Sequence, residues 1–167
     1  MALDGAHLTH GHPSAVQSPE VLASAVRDLM DETPLDEAAR SARSLVSESR
    51  SPAEDVLAAL EAALEDGGSP SGASPAARSL SSALAASLAA ERGASHGVDG
   101  RPVPADFRAA VVRAASSGPD AAAMAGALLG ALWGAAAVPP EWTSRLEGAD
   151  VAEKLAATLA KASGAES

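Results

Sequence analysis

Apolar residues recur along this chain at intervals of three and four, the spacing that gathers side chains on one face of an α-helix. Serine- or threonine-proline pairs punctuate them. A hydroxyl there satisfies orphan amides and proline needs no donor at the first helical position, so each pair predicts a helix start. Ser18-Pro19 precedes Leu22, Ala25, Val26 and Leu29, and Thr33-Pro34 precedes Leu35, Ala38, Ala42 and Leu45, with Asp36 as the capping acid. Ser51-Pro52-Ala53-Glu54 reads as a full capping box before Val56, Leu57, Leu60 and Leu64, with a stop at Gly67-Gly68. Ser74-Pro75 predicts a fourth helix carrying Leu80, Leu84 and Leu88 and ending by Gly93.

Beyond Pro104 the pattern resumes with Phe107, Ala110, Val111 and Ala114. A tight turn, Ser116-Ser117-Gly118-Pro119-Asp120, feeds a stretch without charge from Ala121 to Pro140. That is about the length of a bilayer span, but alanine and glycine dominate it, so a buried central helix is the expectation. Gly126, Gly130 and Gly134 lie four residues apart and predict a small-residue ridge against a neighbouring helix. Pro139-Pro140-Glu141-Trp142 should break this helix, and Asp150-Val151-Ala152-Glu153 should open a last one with Leu155 and Leu159. The reading is one helical domain over 1–162, with flexible connections near 67–73 and 93–104 and a fraying tail at 163–167.

Composition strengthens the all-α assignment. The 167 residues are 47% hydrophobic but contain one Phe, two Trp and no Tyr, so the core must be built largely from alanine and leucine. Strand-favouring residues are scarce and strand content should be near zero. Twelve basic residues against twenty-two acidic ones leave a net charge of −10, with the basic residues scattered, which argues against nucleic acid or an anionic membrane as partner. Without cysteine there is no disulfide, thiolate metal site or cysteine nucleophile. The first residues lack the basic and apolar blocks of a secretory leader, which makes the cytoplasm the expected compartment.

Few side chains are placed for chemistry. His7, His10 and His12, with Asp4 nearby, have spacings that can share a metal, but they precede the first predicted cap, where no fixed element sets their angles; a polar loop is the simpler reading. His12-Pro13 reads as a chain turn. Asp120 heads a helix, where the dipole and orphan amides stabilise a carboxylate, so it reads first as a cap. Asp31-Glu32 and Glu65-Asp66 fall at helix ends as solvated charges. Gly67-Gly68-Ser69-Pro70-Ser71-Gly72 follows a helix and lacks the lysine of a phosphate loop.

Several separated segments, taken together and in order, resemble the ADP-ribosylglycohydrolases. They are Leu8-Thr9-His10-Gly11-His12-Pro13-Ser14, the Pro34 to Ala38 stretch, Met124-Ala125-Gly126, Leu129-Gly130-Ala131-Leu132, Val138-Pro139-Pro140-Glu141-Trp142, Arg145-Leu146-Glu147 and Asp150-Val151. The resemblance implies an all-α hydrolase fold whose active members bind two magnesium ions and cleave ADP-ribose from proteins or small acceptors. It further implies ligands from an N-terminal Thr-Asp-Asp segment, which has no counterpart in this sequence, and from an Asp-x-Asp-Ser/Thr motif before the glycine-bearing helix. Aligned on Gly126, the two aspartates of that motif become Ser117 and Pro119, with Asp120 at the Ser/Thr position; a two-residue deletion rescues Asp120 alone as a metal remnant.

One carboxylate cannot hold a pair of hard cations, so no cofactor and no metal-activated water are expected. No catalytic residue is assigned. His10 matches the histidine beside bound ADP-ribose in relatives, and a weak substrate contact is expected there. The leading expectation is an ADP-ribosylglycohydrolase-like protein without hydrolase activity, which binds ADP-ribose or an ADP-ribosylated protein or serves as a regulatory module. Two alternatives are one half of a split enzyme completed by another chain and a helical protein-interaction module. An uncovered apolar face should drive self-association or docking of a partner chain.

Overall fold

The computed structural model describes residues 5–6, 8, 10–65, 70–97, 100 and 102–163. Asp4, His7, Gly67-Gly68 and most of the tail fall outside the described residues. Helices follow one another as α1 (Pro13–Met30), α2 (Leu35–Ser47), α3 (Glu54–Leu64), α4 (Pro75–Arg92), α5 (Pro104–Ala115), α6 (Pro119–Trp133), a 3-10 turn (Ala135–Ala137), α7 (Pro140–Thr143) and α8 (Ala149–Ser163). The fold is all-α; among the described residues the one extended pairing is an isolated antiparallel bridge between His96 and Pro102. None of the described helices is long and apolar enough to cross a membrane.

The principal core joins α1 to α4 through Val21, Leu29, Leu35, Val46, Val56, Leu60, Leu80, Leu84 and Leu88, and α6 reaches it with Leu128. Small residues let the helices approach closely: Ala25, Ala38, Ala42, Ala59 and Ala77 are fully buried between the larger side chains. A second cluster packs Phe107 and Ala110 of α5 against Leu129 and Ala137, with Trp142 meeting Phe107 edge-on at 6.3 Å. Helix α4 is the hub, touching α2, α3, α5, α6 and α1, whereas α8 has no substantial packing against any other helix.

Several starts differ from the sequence reading, each for a visible reason. Helix α1 opens at Pro13, not Ser18-Pro19: His12 is its N-cap, its Nδ1 accepting from the Ser14 amide at 3.3 Å, and Pro19 sits inside the helix with its ring exposed. The turn expected at His12-Pro13 is therefore a cap. Ser14, Val16, Gln17 and Ser18 are all buried by this earlier start. At α2 the cap position is Pro34, and the Leu35 amide instead donates to Glu91 Oε1 of α4 at 3.3 Å. The buried stripe of α2 ends on Val46, leaving Leu45 exposed, because Ala39 and Val46 share the inward face. Ser74 does cap α4, accepting from the Ala77 amide at 3.2 Å.

The glycine ridge is the clearest correction. A Cβ built on Gly126 or Gly130 would meet nothing within 4 Å, and Gly134 is the C-cap of α6 at φ +77°, past the helix end. The face of α6 that packs inward is Ala121, Ala125, Leu128 and Leu129, centred about 135° round from Gly126 and Gly130. The helix also stops at Gly134 and not at Pro139-Pro140, since a left-handed residue ends it one turn early. With open space at Gly126 and Gly130, replacing each by alanine removes a helix penalty without a clash. Each change is expected to stabilise the chain by up to about 1 kcal/mol, raising Tm by about 2–4 °C. Thermal unfolding of the two variants checks this; a lower Tm would mean that the glycine face is covered.

Candidate functional site

Of the residues singled out in the sequence, His10 lies in the turn before α1. It is exposed, and its amide donates to the Ala6 carbonyl at 3.0 Å. His12 is occupied as the α1 cap, and His7 is outside the described residues. Asp120 stands in the first turn of α6, exposed, after Gly118 at φ +122° and Pro119 at the first helical position. Gly118 there adopts a backbone that a side chain would strain. Helices α1 and α6 pack against each other, so His10 and Asp120 head neighbouring helices.

The chemistry available at the α6 start is limited. Ser117 accepts a hydrogen bond from Ser82 Oγ at 2.8 Å, and Pro119 offers no side-chain ligand atom. Asp120 is the lone carboxylate of that segment. Magnesium prefers near-octahedral oxygen coordination with carboxylate anchors, and a pair of ions needs several. The residues present do not fit such a pair. Among the described residues no three His, Cys, Asp or Glu side chains gather closely enough to hold a metal ion. An open groove of about 510 Å³ between α1 and α2, lined by Glu20, Ser24, Arg27, Ser44 and Glu48, includes neither His10 nor Asp120.

A polar constellation that the sequence reading missed lies where α1, α3 and α4 begin. Asp55 Oδ1 accepts from Ser14 Oγ at 2.6 Å, and its Oδ2 accepts from the Ser74 amide at 3.0 Å. Desolvation, the largest single influence, pushes the Asp55 carboxyl up. The hydrogen bonds from Ser14 and from the Ser74 side chain and amide together outweigh it and hold the carboxyl below its ordinary value. Beside it Gln17 clamps the approach to α3: its Nε2 donates to the Ser51 carbonyl at 2.7 Å, and its Oε1 accepts from the Ala53 amide at 2.8 Å. This replaces the capping box expected at Ser51. Position 53, an alanine, is the actual N-cap and has no side-chain oxygen, so α3 starts without a side-chain cap, and Gln17 of α1 holds the amide of the N-cap residue instead. Nothing local in the sequence signals a partner 36 residues away.

These groups tie the helix starts to one another, which marks the constellation as structural, and of the residues singled out from the sequence His10 and Asp120 are exposed. No curated protein and no solved structure matches the chain. The family model for ADP-ribosylglycohydrolase matches residues 1–167, the whole of the sequence. The order of the segments around His10, Gly126 and Trp142, the all-α fold and this match agree, and the chain belongs to the ADP-ribosylglycohydrolase family.

Proposed function

We propose that this chain is a member of its family without hydrolase activity of its own, which keeps a weak contact for ADP-ribose, free or carried on a modified protein, beside His10. The observation that carries the reading is the segment Ser117-Gly118-Pro119-Asp120. Where the family resemblance asks for two aspartates, it supplies a serine engaged with Ser82 and a proline, followed by an exposed Asp120 at the helix start. A carboxylate in the first turn of a helix is sufficiently explained by the dipole and needs no metal. The exposed position of His10 is compatible with a nucleotide contact.

The test combines turnover and binding. Incubation with an ADP-ribosylated arginine peptide, with and without magnesium, is expected to release no ADP-ribose. Calorimetric titration with ADP-ribose should give a weak, saturable signal that magnesium does not change and that His10→Ala lowers several-fold. Magnesium-dependent release that disappears in Asp120→Ala would overturn the reading, and absence of any ADP-ribose binding would remove the nucleotide contact from it.

A further inference from the structure

An open groove of about 560 Å³ runs between α5 and the segment formed by α7 and the turn after it. Val112 and Leu146 line it while 59% and 60% exposed, so two large apolar side chains share one uncovered patch. Trp142 lines it as well and is half-buried. The edge-on contact with buried Phe107 holds this indole in place before anything binds.

The charges along the groove do not cancel. Arg108 of α5 is paired with Glu141 of α7, an ion pair that bridges the two walls and compensates both groups. Arg145 lines the groove too, and its guanidinium has no hydrogen-bond or ion-pair partner among the described residues. One positive charge therefore remains beside apolar surface. The neighbourhood does not offset it: the segment 102–146 holds three basic and three acidic residues, so the whole of the net charge of −10 is carried elsewhere.

We infer that this groove, which includes neither His10 nor Asp120, is a second ligand site and takes a small aromatic molecule with a single anionic head. Its volume is that of a small-molecule site. A flat ring can lie against the Trp142 indole between Val112 and Leu146, while the Arg145 guanidinium takes a carboxylate or sulfonate through paired hydrogen bonds. One guanidinium matches one charge. A nucleoside diphosphate brings at least two, and the second would find Glu141 and an Arg108 that is already engaged. A cationic ligand would be repelled by Arg145. Because the groove is open to water, the affinity is modest and falls with added salt.

The probe is anilinonaphthalene sulfonate, an aromatic monoanion whose emission rises on leaving water. It is expected to bind the full chain saturably, and Arg145→Ala should weaken that binding about five- to tenfold at low salt. The uncharged phenylnaphthylamine should bind less tightly and be indifferent to Arg145→Ala; an equal effect of the variant on both probes, or none on either, would overturn the anion site. The exposed stripe of α8 is the competing location for the probe. Val112→Ser should weaken binding several-fold and Leu155→Ser should leave it unchanged, and the reverse pattern would place the probe on α8 and overturn the proposal. All three side chains are exposed, so each variant should keep the parent Tm; should Val112→Ser lower it, Val112→Ala gives the same comparison. Naphthoate should displace the sulfonate probe, whereas naphthalenemethanol and ADP-ribose should not. Equal displacement by the alcohol would remove the role of Arg145. Displacement by ADP-ribose would make the groove a nucleotide site and overturn the single-charge assignment, a result independent of His10 and of turnover.

Discussion

Leu128→Ala is expected to destabilise the chain by about 2–5 kcal/mol, a large fraction of the roughly 5–15 kcal/mol that holds a domain folded. Leu128 is fully buried and is the one wholly buried side chain that α6 contributes to the core formed by α1 to α4. The core it joins is close-packed and rich in alanine, whose short side chains cannot reach into the space of a lost leucine. The loss therefore includes the transfer energy of the missing carbons and the cavity they leave. Denaturant unfolding should show the midpoint falling at unchanged slope. Leu155→Ala, at a side chain 58% exposed on α8, serves as the comparison and should lie within about 0.5 kcal/mol of the parent. Equal losses at the two positions would mean that α6 does not seal the core.

Removing the Asp55 carboxylate carries the second large effect. Asp55→Ala takes away the acceptor shared by Ser14 Oγ and the Ser74 amide, and with it the tie among the starts of α1, α3 and α4. A loss of about 2 kcal/mol is expected, from hydrogen bonds to a charged group and the donors left without it. The pH dependence has a defined sign. Since the folded carboxyl is held below its ordinary value, its stabilisation is fully present above about pH 4, where the carboxylate is ionised even in the unfolded chain. It falls away as pH drops below that toward the folded value. Asp55→Asn cannot titrate, so the gap in Tm between parent and Asn variant should be constant from pH 5 to pH 7, about the neutral range, and narrow below about pH 4. A gap that stays constant at acid pH would show that the charge contributes nothing.

What the sequence allowed and what it hid divide along a physical line. Helix type and the longer helices follow from periodicity and from the alanine content, because both act within one segment, whereas the short α7 at Pro140–Thr143 falls where the sequence reads as a break; Leu80, Leu84 and Leu88 are buried as their four-residue spacing requires. Ser74-Pro75 was legible because cap and helix are adjacent. The starts of α1, α2 and α3 were not, since their amides find partners from His12, Glu91 and Gln17, and the last two come from other helices. The glycines of α6 misled for a related reason: a four-residue spacing names a face but not whether a neighbour covers it. At the site, His10 and Asp120 could be named from the family resemblance, while Asp55, held by Ser14 and Ser74, looked like an ordinary residue in the first turn of a helix.

The clamp formed by Gln17 has a consequence for how the molecule divides into parts. Because the residues leading into α3 are held by a side chain of α1, the approach to α3 is a property of the pair and not of either segment. The chain from 49 to 65, cut out by itself, contains the residues of a helix but not the group that says where it begins. Helices α1 and α3, separated in sequence by the whole of α2, are thus tied to each other directly. A crossover that exchanged α3 for the equivalent segment of a relative would have to bring its own start signal or inherit Gln17 with it.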